Sequence, residues 1–161
     1  MNKSVREIVL AMQENWPECA ATMSVPLLKI TRIQDIYKKK IDACIVQYQL
    51  QHTDFSVLAT LRRSATPYCL SPTDLYKSMF FSSGGLTKVL GRLVEAGLIE
   101  RLDNPEDKRS KLVKLSIKGK QLVEIVMPEL HKQHDHLLQG LSAQEITLLD
   151  SLLGKILENH E

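Results

Sequence analysis

No apolar run in the 161-residue sequence approaches the roughly 18 residues needed to span a bilayer, so no membrane association is expected. The first residues are interrupted by Arg6, Glu7 and Glu14 and make a poor secretory signal, so a cytoplasmic location is expected. Cysteine is scarce: Cys19, Cys44 and Cys69 are odd in number and widely spaced. They form neither a Cys-x-x-Cys metal site nor a disulfide framework. The Gly-Gly-Leu-Thr-Lys stretch at 84–88 lacks the spacing of a phosphate-cradling Walker loop. No nucleophile stands beside a base, and no metal set is complete. His131 and His134 could share a helix face, but only Asp135 adds a nearby carboxylate. Neither an enzyme nor a bound cofactor or metal is expected. There is also no repeat, low-complexity segment or linker, which points to a single domain over 1–161.

What is present is a charge gradient. Residues 83–120 carry nine Lys and Arg against five Asp and Glu, whereas residues 121–161 carry two against seven. A basic centre followed by an acidic tail suits one polyanion-facing region and a second region facing elsewhere.

Helical signals dominate the chain. Ser4 and Glu7 form a capping-box pattern ahead of Val5, Ile8 and Met12, giving a helix to about Trp16 that stops at Pro17. Leu27, Ile30, Ile33, Tyr37, Ile41, Cys44, Ile45 and Tyr48 keep the 3–4 spacing of a longer helix. A third runs from near Thr53 to Arg62-Arg63. Ser71, Pro72 and Asp74 are placed to cap and open a short helix over 70–79. A further helix over 82–97 has an apolar stripe of Leu86, Val89 or Leu90, and Leu93 with Val94, and ends at Gly97, the position of a C′ glycine. A short helix, a tight turn and a longer helix make a helix-turn-helix.

Period-two apolar residues then mark two strands, with Leu98 and Leu102 in the first and Val113, Leu115 and Ile117 in the second. Between them lies Asn-Pro-Glu-Asp-Lys-Arg-Ser-Lys at 104–111, although two residues would turn a hairpin. A helix from about Ile117 to Leu138, kinked at Pro128, is closed by Gly140. Ser142 and Glu145 cap an amphipathic last helix through Leu157. The terminal helices are too apolar for lone extensions, which leaves two readings, a helical dimer interface or packing on the chain's own core.

A helix-turn-helix followed at once by a hairpin with a basic tip is a winged helix. Its second helix enters the major groove. A long wing loop reaches the neighbouring minor groove, whose negative potential suits an Arg at the tip, here Arg109. Asp107, two positions away, can brace a guanidinium.

From about residue 27 to 158 the chain resembles the multiple-antibiotic-resistance (MarR) family of regulators. Three stretches carry the resemblance: Phe81 to Ile99 with its Ser-Ser-Gly-Gly-Leu-Thr-Lys start, the wing Arg101 to Leu115 with Asp107-Lys108-Arg109, and Ser116-Ile-Lys-Gly-Lys120. The implied fold is mainly α: a winged helix-turn-helix with a two-stranded β wing and N- and C-terminal dimerisation helices. The DNA-binding lobe would cover 53–117, the dimerisation helices 25–50 and 118–159, and residues 1–24 would be an N-terminal extension.

The resemblance further implies a homodimer straddling a pseudo-palindromic operator in double-stranded DNA. It would act in most cases as a repressor, released by a small-molecule effector or by an oxidant. Ser82, Ser83, Thr87, Lys88 and Arg92 would face DNA from the recognition helix. Arg109 would enter the minor groove braced by Asp107, with Lys108 and Lys111 attracting phosphate. Ser71 and Thr73 would touch phosphate. Gly84 and Gly85, early in the recognition helix, offer no side chain for base reading. An effector pocket between the long helix and the DNA-binding lobe would be walled by Tyr37, Tyr48 and Phe55. Two alternatives stand beside this reading: an oxidant sensor acting through one Cys, and a winged helix that binds a protein partner.

Overall fold

The computed structural model describes residues 3–79, 85–105, 107 and 110–160. The described elements are α1 (Val5–Asn15), α2 (Pro17–Thr22), α3 (Val25–Ile45), α4 (His52–Arg63), β1 (Cys69–Leu70), α5 (Pro72–Ser78), α6 (Leu86–Glu95), β2 (Ile99–Asp103), β3 (Lys111–Leu115), α7 (Ile117–Leu138) and α8 (Ala143–Leu157).

The caps read from sequence are formed. Ser4 Oγ accepts from the Glu7 amide at 3.1 Å while the Glu7 carboxylate accepts from the Ser4 amide at 2.7 Å. Ser142 and Glu145 repeat the exchange at the start of α8. Ser71 Oγ accepts from the Asp74 amide at 3.1 Å and opens α5. Gly97 takes φ +68° just past α6, where an L side chain would be strained.

Several boundaries differ from the sequence reading. Pro17 does not only stop α1; it opens α2 at a position where its missing N–H costs nothing. Gly85 lies ahead of α6, not inside it, at φ +93°. It supplies a left-handed turn into the recognition helix. α7 spans Ile117–Leu138 with Pro128 inside it, the extent read from sequence. The wing is part of a three-stranded antiparallel sheet in the order β1-β3-β2, with Leu70 opposite Val113 and Arg101 opposite Val113 on the other side. Two residues of β1 are too few to show a period. Leu102 and Ile117, assigned to the apolar faces of the strands, are exposed.

The core gathers where α4, α5, α6, the sheet and the start of α7 meet. Leu58, Leu61, Leu75, Leu93, Val113 and Val126 are all essentially buried. Gly119 seats α7 on this core. A Cβ there would lie 2.1 Å from the Leu98 carbonyl oxygen, which is backbone and cannot turn aside. Gly119→Ala is therefore expected to destabilise the fold by about 1–3 kcal/mol, the usual cost of overpacking, as a lower denaturation midpoint.

α8, like the shorter α1, has no buried residue. Ile146 is exposed, and Leu149, Leu152, Leu153 and Ile156 stand exposed beside Ile30 and Ile33 of α3. The two helices border an apolar groove.

Candidate nucleic-acid interface

α6 is strongly two-sided. Val89, Leu90 and Leu93 pack into the core, while Thr87, Lys88 and Gly91 face outward. This follows from the 3–4 spacing of its apolar residues. Thr87 and Lys88 thus stand exposed in the first turn of α6.

The wing lies beside it. β2 and β3 pair through Asp103 and Lys111, whose carboxylate and ammonium are in direct contact. The Lys111 hydrogen bond holds the Asp103 carboxyl below its ordinary range. Beyond this pair, Asn104 Nδ2 donates to Ser110 Oγ at 2.9 Å, and the Ser110 amide donates to the Asp107 carbonyl at 3.0 Å. Asn104, Asp107 and Ser110 therefore close the neck of the loop, as Asn, Asp and Ser do in turns. The sequence reading quoted Asn104 and Ser110 without giving them a role.

A cleft of about 800 Å³ joins this neck to the start of α5, with Ser71, Thr73 and Asp74 on one wall and Asn104, Asp107 and Ser110 on the other. Thr73 is exposed there. The Ser71 hydroxyl serves the cap and also donates to Asp74 Oδ2 at 2.6 Å. Ser82, Ser83, Gly84, Lys108 and Arg109 lie outside the described residues.

Arg92 is placed otherwise than its neighbours on α6. Its Nη2 donates to Asp54 Oδ1 at 2.7 Å and to Gln51 Oε1 at 3.0 Å. The side chain, 41 % exposed, is tied into the fold at the start of α4. Sequence reading missed Asp54 and Gln51, because a pair 38 residues apart leaves no local pattern.

The three aromatic residues expected around an effector pocket are split. Tyr37 and Phe55 line a cavity of about 170 Å³ among α3, α4 and α7, together with Ile41, His52, Arg63 and His134. The Tyr37 hydroxyl and His134 Nε2 are 2.8 Å apart. Burial, and then the neighbouring His131, push the His134 pKa down. Tyr48 is not part of this cavity; it bonds to Glu129, which raises its pKa. Among the described residues, no three His, Cys, Asp or Glu side chains come together to hold a metal.

A winged helix with an exposed recognition face now has its counterparts among known proteins. The MarR family model matches residues 48–110. The multiple antibiotic resistance protein MarR of Escherichia coli (strain K12) is 34% identical over 139 residues, covering 81% of this chain and 92% of that protein. This chain belongs to the MarR family. A second relative, the HTH-type transcriptional regulator PecS of Dickeya dadantii (strain 3937), is 29% identical over 156 residues, with 97% and 93% of the two chains covered. A cysteine-to-serine mutant of E. coli MarR, solved in complex with operator DNA, superposes with a TM-score of 0.70 at 28% identity, over 97% of this chain and 99% of that one. The chain is a MarR-family transcription regulator with a winged helix-turn-helix DNA-binding fold.

Proposed function

We propose that the protein is a homodimeric repressor that binds a pseudo-palindromic operator and is released by a small-molecule effector. The observation that carries this reading is the common surface of α6 and the wing. Thr87 and Lys88 stand exposed on α6, and Asn104 and Ser110 close the neck of a loop whose sequence holds Lys108 and Arg109. The solved complex of MarR with operator DNA supports assigning that surface to DNA. Thr87 and Lys88 read bases or phosphates from the major groove, and Ser82 and Ser83 precede them in the chain. Ser71 and Thr73 border the phosphate side. Arg109 enters the minor groove, Asp107 shapes its approach, and Lys108 and Lys111 add phosphate attraction.

The second subunit covers the apolar faces of α3 and α8, which stand exposed among the described residues of one chain. Two winged helices then address half-sites about 10–10.5 bp apart, or a multiple of that spacing. The cavity walled by Tyr37 and Phe55 is the place for an effector, since it lies between the dimerisation helices and α4 of the DNA-binding lobe.

The test is a binding selection. Purified protein is mixed with sheared genomic DNA of its source at near-physiological salt, and the retained fragments are sequenced. Enrichment of a few sites sharing an inverted repeat is the expected result. Retention without enrichment would leave only generic DNA binding. No retention would point instead to a winged helix serving a protein partner.

The oxidant-sensing alternative meets an obstacle at Cys44 and Cys69, two of the three thiols. Burial, then the Glu129 carboxylate, push the Cys44 thiol up, and burial pushes the Cys69 thiol up against the opposing charge of Lys114. A raised pKa leaves little reactive thiolate. Mild peroxide is accordingly expected to leave operator retention unchanged. A thiol-reversible loss abolished by one Cys→Ser change would establish the sensor instead.

A further inference from the structure

We propose that Arg92 acts as a positioning residue: with Asp54 and Gln51 it clamps the recognition helix to the first turn of α4 and sets the angle at which Thr87 and Lys88 meet DNA. This rests on the operator-binding reading above and gives Arg92 a task other than touching DNA.

The Asp54 carboxylate is 4 % exposed, an unusual place for a charge. Both its oxygens are engaged. Oδ1 accepts from Arg92 Nη2 at 2.7 Å, and Oδ2 accepts from the Gln51 backbone amide at 2.9 Å. Gln51 Oε1 accepts from the same Arg92 nitrogen at 3.0 Å. One guanidinium end is thus held by two residues that themselves shape the start of α4. Removing either charged partner leaves the other poorly compensated, so the contact resists opening. Asp54 also offsets the Arg92 charge, which diminishes its pull on phosphate.

The clamp has leverage. It grips the last turn of α6, five residues from Thr87, which is about 7.5 Å along a helix. A pivot of about 10° at the clamp shifts Thr87 by about 1.3 Å, enough to spoil a hydrogen bond to a base edge. α4 also carries His52, Phe55 and Arg63 into the cavity, and Arg63 donates at its other end to the Ser78 carbonyl of α5. α4 therefore holds both helices of the helix-turn-helix, and an occupant that moves α4 moves α6 through Asp54.

The test uses a duplex recovered by the selection. Operator affinity is measured against salt for wild type, Arg92→Ala, Asp54→Asn and the double variant. The clamp predicts that each single change weakens binding roughly tenfold, and that the double is no worse than the weaker single, as for partners in one contact. The slope of log affinity against log salt stays as in wild type. If Arg92 touched phosphate, Arg92→Ala would flatten that slope by about 0.9 and Asp54→Asn would leave binding equal or tighter; either result overturns the proposal. So does a lower melting temperature with unchanged affinity in both variants. A second arm needs no DNA and no buried substitution. Amide hydrogen exchange of Arg92→Ala should quicken across Leu86–Glu95 with α7 unaffected, and unchanged exchange in α6 refutes the clamp. Wild type that retains no inverted repeat would refute the operator reading, while the exchange arm still decides on the clamp.

Discussion

Arg109→Ala will weaken operator binding by about 1–3 kcal/mol, the usual value of one good specific contact. The argument begins with loop length. β2 ends at Asp103 and β3 starts at Lys111, so seven residues join strands that two could connect. The Asp103–Lys111 contact and the bonds among Asn104, Asp107 and Ser110 close the neck of the loop in whose sequence Lys108 and Arg109 stand. A loop whose sequence carries Lys108 and Arg109 suits the narrow, electronegative minor groove beside the major groove proposed for α6. The expected signature is a weaker affinity with the dimer intact, measured by fluorescence anisotropy on a selected duplex. Unchanged affinity would remove the wing from the account.

Leu152→Glu will have the larger consequence, because it acts on both half-sites at once. Leu152 is 50 % exposed in one chain and sits in the groove between α3 and α8 beside Ile30, Ile33 and Leu149. If a second copy covers that groove, a carboxylate there is buried without a partner, which is among the most costly changes an interface can suffer. Sedimentation should report a monomer where wild type is a dimer. Operator affinity should then fall roughly 10²–10⁴-fold, since two linked half-site contacts become one. A Leu152→Glu protein that still sediments as a dimer would place the interface elsewhere.

Much of this was legible because the governing interactions are local. A cap needs two residues three apart, so Ser4 with Glu7 and Ser142 with Glu145 announce their helices in the sequence alone. The two-sidedness of α6 follows from spacing alone. The misses share a different cause. β1 exists only because β3 offers it an edge 43 or more residues away, and its own two residues show no period. Arg92 reads as a free cation on a helix face until the fold brings Asp54 to it. Tyr48 keeps the periodicity of α3, yet the helix tightens into a 3₁₀ turn over Val46–Tyr48 and turns it towards Glu129, away from the cavity that Tyr37 and Phe55 share. Non-local pairing decided each of these, and one sequence carries no trace of it.

Hydroxyl-radical footprinting of a selected duplex tests the central claim most directly. Two winged helices related by a dyad predict a two-fold symmetric pattern. Its half-sites should be about 10–10.5 bp or a multiple apart, flanked by minor-groove protection that disappears in Arg109→Ala. A single asymmetric patch, or uniform protection without register, would contradict a dimer that reads an inverted repeat.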